Sequence, residues 1–231
     1  AVPFLIIDSM LLHLLLLVIP ALVVPVKQAA EVDYPKCDDK ADNVVRIFNS
    51  PGSENLPVQL SGNVAMSTYD ANMRPSCNTT GGDITFPGEA SLFHGTITNT
   101  QKIDARFVSM KLTMKKNDSD VGWLCINGEA QSDLVDNSFC VIDFCNYYDG
   151  VISAQKVCDM LTMPGVYNLE DKTPFPLFFF FNPIPYDYRN IMTGMWKISA
   201  ALWLGDVPVF DWTLVGTDES GWVHITKTMV Q

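Results

Sequence analysis

Histidine is scarce. Three occur in 231 residues, and only His94 and His224 follow the apolar N-terminal run. Each lies in an alternating apolar/polar stretch, where a histidine is ordinarily structural. No Gly-x-Ser-x-Gly, no His-Glu-x-x-His and no glycine-rich phosphate loop occurs, so the usual signatures of a nucleophile, a catalytic zinc or a bound phosphate are missing. No Cys-x-x-Cys occurs either, which speaks against zinc and dithiol redox chemistry. Asp38, Asp39 and Asp42 lack the spacing of a calcium loop. Asp133, Asp136 and Asp143 show no sign of meeting as an acid–base pair. A catalytic residue, a metal and a cofactor are therefore not expected, and the chain reads as a non-enzyme.

Charge is sparse and one-sided. Charged residues make up 18% of the chain, with 26 acids against 15 bases and a net charge of -11. Residues 1–30 hold one of each sign, so the remainder carries 14 − 25 = -11. Such a surface repels phosphate backbones, and nucleic acid is not expected as a partner. Protonation of carboxylates at lysosomal pH eases repulsion from anionic membranes. Disorder is excluded by composition, with 48% hydrophobic residues and 11% aromatic.

The chain has an apolar run from Leu11 to Val26, broken by Pro20 and Pro25 and followed by the small residues Ala29 and Ala30. That is the layout of a signal peptide, lacking only the basic n-region; two prolines and the short run argue against a spanning helix. Met10 reads as the initiator. The expected division is a signal peptide over 1–30, with 1–9 as an upstream extension, and one lipid-binding β-domain over 31–231. Six cysteines follow the leader: Cys37, Cys77, Cys125, Cys140, Cys145 and Cys158. An even count behind a secretory signal reads as three disulfides. The sequons at Asn78 and Asn117 mark glycosylation positions and agree with a secreted or lysosomal location.

The commonest local pattern has period two. Val108, Met110, Leu112 and Met114 alternate with Ser109, Lys111, Thr113 and Lys115. Trp196 to Leu204 and Phe210 to Leu214 alternate likewise, as half-buried strands do. Val44–Phe48, Val58–Ser67, Ser91–Thr98, Phe139–Phe144 and Trp222–Thr226 are shorter strand candidates. Only Val151–Leu161 has helical spacing. The polar, glycine-rich segment Cys77–Phe93 reads as a long exposed loop or hairpin. Many short strands and one short helix predict an all-β fold, an antiparallel immunoglobulin-like β-sandwich or β-cup.

The run from Pro174 to Tyr186 stands apart. Its four prolines bar a regular central strand or helix, yet it holds Phe175, Phe178, Phe179, Phe180, Phe181 and Ile184. Leaving Phe178 to Phe181 in water forgoes about 6–12 kcal/mol, at roughly 1.5–3 kcal/mol each. The cover is the protein's own core, the acyl chains of a lipid, or a protein partner. A lipid chain suits the space between sheets because a dry cavity needs no hydrogen bonds, and each methylene leaving water contributes about 0.8 kcal/mol. Trp123 follows a turn and adjoins Cys125, and is singled out on that ground. Trp196, Trp203, Trp212 and Trp222 read as mostly core.

Five stretches resemble the lipid-recognition (ML) domain family, and within it the ganglioside activators, sphingolipid activators of lysosomal β-hexosaminidase. They are Cys37–Asp42 leading into Val44–Ile47; Gly62–Ser67; Met110–Lys116 with Gly122–Cys125; Ser138–Cys140 with Asp143–Cys145; and Pro164–Leu169 with Ile191–Ile198. No one motif is highly specific; their order and spacing carry the likeness from about Cys37 to Thr217. The resemblance implies a β-cup with an apolar lipid cavity and apolar loops at its mouth, where Trp123 and Phe175–Tyr186 fall. It also implies Cys125–Cys140 and Cys145–Cys158 disulfides. The family's cysteine in the last strand is missing near Val209–Val215, which leaves Cys37 to pair with Cys77. The Cys77 region and the tail from Asp218 are additions to the family pattern.

The expected lipid contacts are Trp123, Phe175, Phe178, Phe179, Phe180, Phe181, Ile184, Tyr186, Ile191, Met192 and Trp196. The expected function is lipid binding and transfer or presentation, of a glycolipid or phospholipid. Acyl chains would sit in an apolar cup, with transient membrane contact and a lysosomal glycosidase as a further partner. The alternative is a secreted adhesion or recognition β-sandwich without lipid cargo.

Overall fold

Alternation sets the frame. In β6 (Val108–Lys116) the residues Val108, Met110, Leu112 and Met114 are buried and the polar set between them faces outward. Its partner β12 (Gly194–Leu204) buries Trp196, Ile198, Ala200 and Leu202. The two run antiparallel through nine pairs, from Trp196 opposite Lys116 to Leu204 opposite Val108. Equal side-chain periods let both apolar rows face one core. On its other edge β12 pairs with β13 (Val207–Val215) through a two-residue turn, where Phe210 stacks on Trp212 with ring centroids 4.6 Å apart.

The computed structural model describes residues 36–79, 81–143, 145, 152–170, 175–176, 189–216 and 220–227. The expected leader peptide lies outside them. All belong to one unit, Pro35–Gln231. The fold is all-β, one curled sheet with the form of a half-barrel. From β13 the sheet continues to β1 (Val44–Asn49), β2 (Val58–Asp70), β5 (Gly88–Asn99) and β10 (Gly165–Asn168), all antiparallel neighbours. β7 (Trp123–Ile126), β8 (Glu129–Ala130) and β9 (Val141–Asp143) extend it beyond β6. The curl has a local cause. Opposite the bulge between Ser61 and Ala65 stands Gly95, with φ +95°. A Cβ there would come within 2.7 Å of Val64, so the two strands bend together only around a glycine.

A second branch leaves β12 at its start. Gly194–Trp196 pairs with β14 (Val223–Lys227), which runs parallel to β4 (Gly81–Phe86); β4 pairs in turn with β3 (Cys77–Asn78). The expectation of a long exposed loop or hairpin over Cys77–Phe93 is corrected in part: β3 and β4 form a short hairpin, but it is not exposed. Gly82, Asp83, Ile84 and Thr85 of β4 are buried, and β5 begins at Gly88. Polarity misled because the polar groups are satisfied inside. Ser76 and Thr85 share a hydroxyl contact, the Asn78 amide donates to Asp83, and the Asp83 N–H donates to the Ser76 carbonyl at 3.0 Å. Glycine permits the approach: a Cβ on Gly82 would lie 2.8 Å from the backbone of Asn43 and Val44, so β4 rests directly on the start of β1.

The expected strand over Phe139–Phe144 is likewise shorter. Asp136 caps α1 (Asn137–Cys140), its carboxylate accepting from the Ser138 and Phe139 amides at 2.9 and 3.3 Å, and the strand β9 follows. The helix expected near Val151–Leu161 is α2 (Ile152–Thr162). A third helical turn, α3 (Arg189–Met192), precedes β12. The disulfides are Cys37–Cys77, Cys125–Cys140 and Cys145–Cys158, as expected. They fit a chain folded in an oxidising compartment. No helix among the described residues is long and apolar enough to cross a membrane.

Candidate lipid-contact site

Strand registers decide which expected residues meet. Trp123 pairs with Lys115, Lys115 with Lys197, and Trp196 with Lys116. These lie at the start of β12 and the finish of β6. Because neighbours alternate in direction, the same end of the sheet holds the start of β1, the finish of β2 and the start of β5. There β11 (Phe175–Pro176) adds to the free edge of β5, Phe175 opposite Ala90 and Pro176 opposite Glu89. The proline-broken stretch thus departs from this end. The turn α3 brings the chain back to Gly194, opposite Ile225, at the same end. Trp123, Phe175, Ile191, Met192 and Trp196 therefore lie toward one end of the strands, with Phe175 and Trp123 on strands near opposite edges of the sheet. Phe178, Phe179, Phe180, Phe181, Ile184 and Tyr186 lie outside the described residues.

These residues differ in what they offer. Trp123 is 43% exposed, in a strand whose next two residues, Leu124 and Cys125, are buried. The Lys115 ammonium lies 5.0 Å from its ring centre. Trp196 is fully buried, and its indole N–H donates to the Met192 carbonyl at 2.7 Å. That bond ties α3 to the core strand. Met192 is also buried, and Ile191 is half-buried. Trp196 and Met192 form the floor beneath this end; Trp123 belongs to its surface.

A polar cluster flanks the apolar one. Asn43 is fully buried, donating to the Thr68 carbonyl at 2.9 Å and accepting from the Lys40 amide at 2.6 Å. The Tyr69 hydroxyl lies 2.8 Å from Asp39 and 2.9 Å from Ser67. Asp39 is thus a structural acceptor. His224 of β14 meets Asp83 of β4 at 2.9 Å, and the Asp83 hydrogen bond raises the imidazole pKa above its ordinary value against the opposing effect of burial. His94 faces Glu170 at 3.8 Å, both well exposed. Asp136 is engaged as a helix cap, and its pKa is lowered chiefly by the Ser138 hydroxyl. Among the described residues no three metal-ligating side chains converge.

Of the two sequons, Asn117 is exposed in the turn after β6, where a glycan displaces nothing. Asn78 is half-buried with its amide on Asp83, so a glycan there must leave that hydrogen bond its remaining N–H. Sequence reasoning missed the lysine–indole pairs on the outer face. Lys111 sits 4.0 Å from the Trp203 ring centre and Lys197 5.0 Å from that of Trp222. Alternation put the lysines outward, but which indole each meets depends on inter-strand register. No family model matches the chain, and no curated protein matches it.

Proposed function

We propose that the protein binds lipid without catalysis and transfers or presents it, the acyl chains held in an apolar cup and the head group left outside. One observation supports this reading above the others. The chain enters the aromatic, proline-broken stretch from β11 and returns through α3 at the same end of the strands that carries the exposed Trp123 and the buried Trp196 and Met192. An apolar segment returned to one rim is suited to contact a bilayer surface and to guide acyl chains. One long chain leaving water yields about 10 kcal/mol gross, before association costs. The three disulfides agree with secretion or a lysosomal location, and glycolipid or phospholipid cargo offered to a lysosomal glycosidase is the fuller form of the reading.

The second reading is a secreted recognition β-sandwich without cargo. The complete burial of Trp196 favours it, because a residue expected to touch lipid is satisfied by its own protein. Organic extraction of the purified protein with mass spectrometry separates the two: bound lipid is expected. Transfer of fluorescent lipid between vesicles is expected at about pH 5 or about pH 7, the acidity of a lysosomal or of an extracellular setting. An empty protein inactive at both values overturns the carrier reading. F179S with F180S is expected to abolish transfer while circular dichroism stays unchanged; unfolding instead assigns these rings to the core.

A further inference from the structure

The branch made by β3, β4 and β14 closes on a histidine. Val223 and Ile225 of β14 stand opposite Trp196 and Gly194 of β12 and are almost fully buried. His224, between them, turns to the other face. There its Nδ1 lies 2.9 Å from an Asp83 oxygen across the parallel seam with β4. The two partners are unequal: the Asp83 side chain is 9% exposed and the imidazole 32%. Asp83 is also anchored. The Asn78 amide donates to the same carboxylate oxygen, and the Asp83 N–H donates to the Ser76 carbonyl at 3.0 Å. A fixed carboxylate beside a ring that water can reach makes a contact sensitive to protons. β4 brings no other charge to the ring. On β12, Met195 is opposite His224, and Lys197, two residues on, lies over Trp222 at 5.0 Å. The Asn117 N–H donates to the Met195 carbonyl, in a turn where Lys116 holds Asp118 at 2.9 Å and Asp120 accepts from Ser119. Arg74 lies 3.8 Å from Asp70 in the turn before β3. β14 itself adds Lys227, and α3, packed against β14, opens on Arg189. Asp218 and Glu219 lie outside the described residues.

We propose that His224 and Asp83 form an acid-tightened latch across the seam between β4 and β14. With the ring protonated, the contact is charge-assisted and about twice as strong as a neutral hydrogen bond. The Asp83 hydrogen bond lets the folded ring keep its proton to a higher pH than the unfolded one. The added hold is therefore complete below the ordinary value of 6.5 and is lost as pH rises through the folded value. What the latch holds is β14, whose Val223 stands beside Trp196. In an acidic compartment this end of the sheet is firm; in alkaline solution β14 opens more often. The device belongs to the strands, and it stands whether or not the protein carries lipid.

The test is hydrogen exchange of the full chain, followed by mass spectrometry at about pH 5.5 and about pH 8.5, on either side of the histidine range. Protection factors are compared, so that the intrinsic pH dependence of exchange divides out. Protection over Val223–Lys227 and Gly81–Phe86 is expected to fall about two- to five-fold from the lower pH to the higher, the range of a part-exposed ion pair. Protection over Val108–Lys116 is expected to hold. H224Q keeps a hydrogen-bond donor but cannot titrate, and its protection over Val223–Lys227 is expected to be equal at both pH values. D83N is expected to abolish the dependence and to return the imidazole, followed by NMR titration, toward its ordinary pKa. Unchanged protection over Val223–Lys227 in the unaltered protein overturns the proposal. So does an equal fall over Val108–Lys116, or a dependence that H224Q retains in full. Should the variants fail to fold, NMR titration of the unaltered protein decides. The ring and the β14 amides are expected to share one midpoint above 6.5; a lower midpoint, or amides that do not follow the ring, overturns the latch.

Discussion

The ladder of β6, β12 and β13 and the crossing of β3 and β4 over β1 hold the molecule together by different means. In the ladder, apolar side chains alternate for nine unbroken pairs and bury Trp196, Met110 and Met114 almost completely. In the crossing, the buried groups are Asn43, Thr68, Asp83 and Thr85, kept inside by hydrogen bonds, by one glycine contact and by the Cys37–Cys77 bridge. Non-directional burial tolerates small errors of position. A satisfied polar cluster does not, since each lost partner strands a buried group. The first region should therefore set global stability and the second the local fit of one end.

Trp196→Ala should break this comparison most severely, costing about 3–5 kcal/mol of unfolding free energy. Denaturant titration should show one cooperative transition moved as a whole; a change confined to α3 would mean that the indole serves only its bond to Met192. Cys37→Ser with Cys77→Ser should cost about 2–5 kcal/mol. Hydrogen exchange should then show Gly81–Phe86 losing protection ahead of Val108–Lys116; equal loss in both strands would erase the distinction between the regions. Gly82→Ala should cost about 1–3 kcal/mol, because the new methyl meets backbone that cannot rotate away. Thermal melts that match the unaltered protein would show that β4 does not rest on β1 as described.

The smallest effect belongs to His224. Its folded pKa is raised above 6.5 by Asp83, so the contact stabilises fully below the unfolded value and fades as pH climbs through the folded one. With the ring one-third exposed, the contribution should stay under about 1 kcal/mol. The difference in stability between the unaltered protein and His224→Gln should shrink from acid toward alkaline pH. A constant difference across that range would assign the histidine a packing role only.

Where one strand carries its own evidence, the sequence was readable. Val108–Lys115 and Trp196–Leu204 announce their buried rows by alternation, and Val151–Leu161 its helix by spacing. Cys77–Phe93 hid its strands because a local reading scores Asp83 and Thr85 as wet; their partners Ser76 and His224 appear only once the chain has folded back. Phe139 and Cys140 carry strand-forming composition, but the Asp136 cap turned them into a helical turn. At the candidate site, Trp123 was singled out by its neighbours in sequence, and it is exposed. The lysines beside it were not singled out, because pairing Lys115 with Lys197 joins positions on strands far apart in the chain.

The parallel pairing of β4 with β14 has a consequence for biosynthesis. Asp83 and His224 are 141 positions apart, so one edge of β4 waits for a partner until nearly the whole described chain has been made. During that interval the Cys37–Cys77 bridge can already hold β4 against β1, giving the late strand a prepared slot. Truncation before Val223 should yield a nascent product with a bare strand edge and a stranded carboxylate, the kind of species that chaperones retain.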